Sequence, residues 1–500
     1  MRRQILIILS IVFLGTTACT EDVLDRINKD KQHPAPDAVP AYLQLSEAIM
    51  STGFSTVSGD FAFYLSSLNE QSIGVGNNQL MRAELRNSNE WASSTTFNNV
   101  WNSTYGNLKN IREIIRKIEE EVPGNIGQYD LLGMAQVLEA LNFGVLTDMH
   151  GDIPYSEALQ GQGNLQPKLD AQKDVYAGIL ATLDDAIANF EKAEELELAS
   201  AVKTDIAFGE FEDQINQWKA SAYALKARYL LRQIAVEPNV LAQVETNAQT
   251  AVDLGFEGFV IDQFNGVTAD NPWSAFIWSR EYTASSLTVA NLMEATNDPR
   301  LAYYKYAKGP GLAIRQRDKL DIDKAYQPGN EEISQVASGV LTFPAWYDFG
   351  SQPLHLLSKS ELYFILAEAQ LRLEKDATEA FRTAVETSVS EILGLFNDNT
   401  SVSDYAESLG APTLQKLFEQ KYLAQSYDEQ VETYNDFRRL KAMGESYIEL
   451  TNPRNIQSGV NRYPERLPYG NSGVIGNPNV KEAYGDGTYI YTKKTWVNDK

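Results

Sequence analysis

Asp148, His150 and Asp152 occupy alternate positions at the end of an apolar run, and two carboxylates with an imidazole are donors that could ligate an ion. The set is incomplete as a metal site. No H-E-x-x-H pair exists and no second histidine is near, so these residues read as short polar side chains bonding the carbonyls and amides freed at a helix end. Nucleophilic chemistry finds little more. There is no G-x-S-x-G elbow, the only cysteine is Cys19, and His33, His150 and His355 are the only candidate imidazole bases. No G-x-x-x-x-G-K-[ST] loop cradles phosphate. Asp321-Ile322-Asp323 and Asn397-Asp398-Asn399 have partial calcium-like spacing without the glycine and glutamate that complete an EF-hand loop. Glycoside hydrolysis needs two carboxylates about 5 to 10 Å apart, and 67 acidic residues supply so many pairs that the signal is empty. These residues single out no catalytic group, and neither metal nor cofactor is expected.

Aromatics carry more information. The seven Trp and 25 Tyr exceed what a helical core requires, and many lie outside periodic stripes. A tryptophan face removes the C–H side of a sugar from water, and at about 25 cal/mol per Å2 some 50 Å2 is worth roughly 1 kcal/mol per ring. Trp273 and Trp278 are five residues apart, so on a helix they point about 140° from each other and cannot face one core wall. One of them belongs at the surface. Trp346-Tyr347 after Pro344, and Trp91 in the polar stretch 87–91, are further candidates, giving a ligand-binding set of Trp91, Trp273, Trp278, Trp346 and Tyr347. Trp101 and Trp218 sit on helical stripes and are assigned to the core, whereas Trp496 fits either role.

The elements that must position these rings are mostly helical. From Leu131 to Leu146 apolar residues appear on every side with Glu139 as the only charge, so this helix should be packed between neighbours until Gly151 and Pro154 end it. Residues 96–120 keep an i, i+3, i+4, i+7 stripe and should form a hairpin with it. Further helices are expected over 41–50, 61–68, 173–196, 213–234, 240–254, 359–373 and 377–395, and one long helical pattern over 414–442. Between residues 255 and 358 the pattern changes to Gly, Pro, Asn and aromatics, with short helices expected at 280–294 and 298–306. The tail 452–500 has a similar composition. Loops on a rigid frame are where binding usually sits.

Composition narrows the partners. The net charge of -24 repels phosphate backbones and anionic headgroups, which disfavours nucleic acid. Arg2-Arg3 followed by an apolar run over residues 5–14 is too short to span a bilayer, for which about 20 residues are needed, and reads as a signal peptide over residues 1–18. Small residues precede Cys19, the expected lipidation site, although Thr16 stands where an aliphatic residue is usual. Residues 19–40, with Pro34, Pro36 and Pro40, read as a lipidated tether.

Several spaced motifs then point the same way. The run Asp148-Met149-His150-Gly151-Asp152-Ile153-Pro154-Tyr155-Ser156-Glu157-Ala158 resembles the "D-x-x-G-D-I-P-Y-S-E-A" of the SusD/RagB nutrient-binding outer-membrane lipoproteins of Bacteroidetes. Trp218 through Arg232 resembles that family's "W-x-K-x-A-N-x-L-x-x-R", with Ser221-Ala222 in place of Ala-Asn. Glu361 through Ala369 resembles its "E-x-x-F-L-x-A-E-A", and Gln420-Lys421-Tyr422 with Asp436-Phe437-Arg438-Arg439 resemble "Q-K-Y" and "W-x-D-x-R-R". The resemblance implies a SusD-like domain over 41–500: tetratricopeptide-like helical hairpins carrying the loop-rich, aromatic-rich insertion. No strict 34-residue repeat is readable, so the solenoid geometry comes from the resemblance alone. It further implies a lipid-anchored protein of the outer membrane, facing outward, that captures a nutrient oligomer, most often a glycan, and delivers it to a SusC-like TonB-dependent transporter. Two alternatives stay open: a surface glycoside hydrolase, and a peptide-binding member of the same family.

Overall fold

The structure, a computed structural model, describes residues 36–76, 78–197, 202–305, 324–336, 341–456 and 462–500. Cys19, the signal peptide, most of the tether and Asp321–Asp323 lie outside the described residues. The longer helices are α1 (Gly59–Leu68), α2 (Asn98–Glu119), α3 (Tyr129–His150), α4 (Gln172–Glu195), α5 (Gln214–Gln233), α6 (Leu241–Asp253), α7 (Pro272–Arg280), α8 (Leu287–Ala295), α9 (Lys359–Arg372), α10 (Thr378–Leu395), α11 (Leu414–Gln425) and α12 (Gln430–Met443). Four short strands, β1 (Ser72–Gly74), β2 (Phe259–Ile261), β3 (Thr283–Ser285) and β4 (Leu354–Leu357), pair antiparallel as β1–β3 and β2–β4.

Successive helices form antiparallel pairs. Trp101 meets His150 while Arg112 reaches Glu139 at 2.7 Å, so α2 and α3 run in opposite directions. Asn189 bonds Gln136 and Lys219 bonds Glu194, which continues the alternation through α4 and α5. α5 packs on α6, α6 on α9 and α9 on α10, although about a hundred residues separate α6 from α9 in the chain. The expected hairpin stack is present, and the loop-rich segment leaves and re-enters it. From Leu131 to His150 every residue of α3 is buried except Glu139, as an all-round apolar helix requires. Gly144 lets this helix approach its neighbour, since a Cβ there would collide with the Tyr229 hydroxyl.

Polar residues also bind the frame together. Arg228 of α5 pairs with Glu361 of α9, its Nε 3.0 Å from the carboxylate, and Arg232 pairs with Glu432 of α12. Lys421 of α11 sits 2.6 Å from Asp436, and Arg439 reaches Glu368 at 2.6 and 2.8 Å. All of these side chains are buried. Burial makes such pairs costly to assemble and more costly to break, about 3–5 kcal/mol when one partner is lost. They fix which helix faces which.

Four expected elements differ, the shortest being the helix expected over 298–306, of which only Leu301–Tyr304 is helical among the described residues. The helix expected over 280–294 begins only at Leu287, as α8, because α7, capped by Asn271, ends at Arg280, Glu281 takes a left-handed conformation (φ 54°), and β3 intervenes. The pattern over 414–442 is broken at 426–429, where Asp428 and Glu429 turn inward to partners on β4 and at the start of α9. The stretch 41–50 opens as a 3-10 turn before a helix over Leu45–Ser51.

Candidate functional site

The Asp148–Tyr155 corner is a latch. Asp148 accepts hydrogen bonds from Tyr176 and Asn435, and Asp152 caps α4 at the Gln172 amide, 2.9 Å away. His150 is buried among rings, its Nδ1 3.3 Å from the Leu467 carbonyl, and burial pushes its pKa down to about 3. The three side chains therefore serve separate partners. Gly151 (φ 80°) ends α3 under the Arg466 guanidinium, which donates to the His150 carbonyl at 3.0 Å, and Tyr469 bonds Asp152 at 2.9 Å. The C-terminal tail is thereby strapped across the corner. Among the described residues no group of three or more His, Cys, Asp or Glu is placed to hold a metal ion.

The loop-rich segment presents its aromatics on both sides of α7. Asn271 caps α7 by accepting from the Trp273 amide at 2.9 Å, and donates to the Gln352 and Pro353 carbonyls, which fixes the start of the helix against the 350–353 loop. On the inner side Phe276 stacks on Phe63 at 3.9 Å, and Tyr282 meets Phe276 edge-on. Val75 donates to the Tyr282 carbonyl at 2.8 Å beside the β1–β3 pair. On the other side Trp278 is half-exposed and outside the core. Phe276 and Tyr282 are likewise only partly buried.

Four of the five proposed platform rings are not available at this surface. Trp273 is 1% exposed, wedged between Phe63 and a stacked Tyr347. Trp346 is 1% exposed against Tyr304, and Tyr347 is buried with its hydroxyl donating to the Ser426 carbonyl at 3.2 Å. Trp91 is fully buried and donates its indole N–H to the Ala83 carbonyl at 3.0 Å. The polar residues around Trp91 hid a short helix whose one apolar side chain turns inward. Trp278 alone stays at the surface, as the 140° separation from Trp273 requires. Trp101 and Trp218 lie in the core, and Trp496 is partly buried. Phe276 and Tyr282 are also partly buried rings here, and nothing in the sequence distinguishes them from core rings.

Two concavities lie apart from these rings, with none of them in the lining. One, of about 750 Å3, follows α12 and is lined by Phe437, Arg438, Lys441, Tyr447 and Tyr463. The other, of about 700 Å3, lies along β2, β4 and α10. His355 forms the floor of the second, its Nδ1 3.0 Å from Asp428 and its Nε2 3.0 Å from Glu391. Burial opposes a charge on this imidazole, but the two carboxylates prevail and raise its pKa well above the ordinary histidine value. Ser358 donates from both its amide and its hydroxyl to Glu429, at 2.9 and 2.8 Å.

A family model described as starch-binding and associating with the outer membrane matches residues 56–469. The chain belongs to the SusD-like family. A SusD/RagB family protein from Bacteroides thetaiotaomicron shares 32% identity and a TM-score of 0.76, over 92% of this chain and 99% of that one. A structure titled a chitin-binding protein superposes with a TM-score of 0.69 at 21% identity, covering 93% of this SusD-like chain and 100% of its own. A chitin-binding SusD homolog from Flavobacterium johnsoniae gives 0.65 at 20%, over 91% and 98%. At these lower identities the likeness establishes the fold alone. No protein of curated function matches the chain. Among the described residues no helix is long and apolar enough to cross a membrane.

Proposed function

We propose that this SusD-like protein is a cell-surface glycan-binding lipoprotein, anchored through Cys19, that captures oligosaccharides on its loop-rich face and delivers them to a SusC-like TonB-dependent transporter. The observation that carries the reading is the extent of the starch-binding family match, which spans both the helical frame and the loop-rich segment. The geometry supports it. Trp278 offers a partly exposed indole on a capped helix, with Phe276 and Tyr282 partly exposed beside the β1–β3 pair. A flat ring on a fixed element orders nothing further when a sugar stacks on it, so little entropy is lost on binding. The frame's broad helical faces dock the transporter, and the ligand leaves chemically unchanged.

The test is titration of the mature protein with soluble starch and chitin oligomers, with product analysis on the same samples. Trp278→Ala is expected to weaken binding about tenfold, roughly 1.4 kcal/mol, while the unfolding midpoint stays unchanged. Binding lost instead on Tyr447→Ala would move the ligand to the 750 Å3 concavity, and shortened oligomers would make the protein a hydrolase.

A further inference from the structure

A smaller concavity, of about 390 Å3, lies where the C-terminal tail crosses the corner after α3, and there the sign of the chain's charge reverses. Arg466, Lys493 and Lys494 line it against Asp152 and Asp499. Asp152 is already committed to the cap of α4, its Oδ1 2.9 Å from the Gln172 amide. Lys493 and Lys494 are exposed, and neither ammonium has a hydrogen-bond or ion-pair partner among the described residues. In a chain of net charge -24 this excess of cations is local, and with a screening length of about 8–10 Å at physiological salt the nearby charges decide what approaches.

A second, independent observation concerns Arg466 itself. It is only 8% exposed, and its guanidinium donates to the Lys493 carbonyl at 2.9 Å, the His150 carbonyl at 3.0 Å and the Lys494 carbonyl. These bonds gather both lysines and the corner around one cation. No carboxylate lies within ion-pair distance of it among the described residues, whereas Arg228, Arg232, Arg300 and Arg439, buried at least as deeply, each face one. A buried cation answered only by carbonyl dipoles is under-compensated, and an anion entering from the concavity would complete its surroundings. Beside the charge, the Tyr489 ring lies 5.9 Å from the guanidinium and stacks on Tyr469 at 5.6 Å. The Tyr489 hydroxyl accepts from the Tyr469 amide at 3.0 Å, so this wall is fixed.

We infer that this concavity is a second saccharide site, selective for acidic sugars: the carboxylate of a uronic acid unit sits against Arg466 with Lys493 and Lys494 beside it, while ring hydroxyls meet Thr492 and Asp499. The inference rests on the glycan-binding reading above, but the site uses none of the rings around Trp278 and shares no lining residue with the two larger concavities. A nucleic acid fits less well, because its extended backbone would also meet the negative charge that the chain carries elsewhere.

The test is calorimetric titration of the full mature chain at neutral pH with an α-1,4-galacturonic acid oligomer and with its fully methyl-esterified, uncharged counterpart of equal length. The acidic oligomer is expected to bind about tenfold more tightly, with the preference weakened by added salt, and to slow backbone hydrogen exchange over residues 489–494. Lys493→Gln with Lys494→Gln, both exposed and outside every buried pair, should erase the preference without moving the unfolding midpoint, and Trp278→Ala should leave it intact. Equal affinity for the two oligomers overturns the inference, as does a preference that survives the double substitution, one that disappears with Trp278→Ala, or exchange over 489–494 that the acidic oligomer leaves unchanged. If starch or chitin oligomers bind through Trp278 and no acidic preference exists, only this inference fails. If no glycan binds at all, the proposed function fails with it.

Discussion

His150 and His355 are both buried, yet the fold holds them in opposite charge states. His150 lies against Trp101, Phe61 and Tyr469, with one carbonyl as its acceptor and the Arg466 and Arg438 guanidinium groups nearby. It stays neutral. His355 lies at a similar depth, but carboxylates flank both ring nitrogens and hold it as an imidazolium. Burial alone therefore does not set a histidine's charge; the partners brought to its two nitrogens do. Each histidine also marks a join. One secures the C-terminal tail to α3, and the other secures β4 to the turn between α11 and α12.

The harshest test of this contrast removes a carboxylate. Asp428→Asn is expected to cost about 3–5 kcal/mol in urea unfolding, because it strips a buried charge of a partner, and the imidazole 15N shifts of His355 should change from charged to neutral near pH 7. A variant as stable as the parent would show that the pair does not hold the turn. The next largest effect lies on the acid side of His150. Its folded pKa is depressed, so below about 6.5 the unfolded chain takes up a proton that the folded chain refuses until about pH 3. Stability is expected to fall by about 1.4 kcal/mol per pH unit through that window, and His150→Asn should make the acid limb shallower by that slope.

The smallest effect at neutral pH concerns Glu429, whose pKa burial and the nearby Glu361 push up to about 8. The unfolded chain loses this proton near 4.5 and the folded chain keeps it, so the group's contribution declines as pH rises from about 4.5 to about 8. Glu429→Gln should flatten that decline and leave the protein no less stable at pH 7. A steeper alkaline loss in the variant would mean that the carboxylate, not the acid, bonds Ser358.

The residues that carried the family resemblance prove to be the ones that meet inside the frame. Glu361, Glu368, Lys421, Asp436 and Arg439 are scattered over nearly eighty positions and converge in one buried ionic network. Charged residues on apolar helix faces are legible because burial restricts them to fixed partners. The exposure of single rings is far less legible. Trp91, Trp273, Trp346 and Tyr347 have the same loop-like, aromatic surroundings as Trp278, and only packing against Phe63, Tyr304 and the 426–427 turn separates them. Likewise the break at 426–429 leaves no periodicity signal, because the inward turn of Asp428 and Glu429 depends on His355 and Ser358, about seventy residues earlier.

By itself the chain determined the helical hairpins, the enclosed α3, the polar corner after it and the loop-rich interruption, because each follows from side chains within a few turns of one another. Tertiary structure alone decided which tryptophan meets solvent and which histidine keeps its proton. Those outcomes depend on distances between segments remote in the chain, and local spacing places no limit on them.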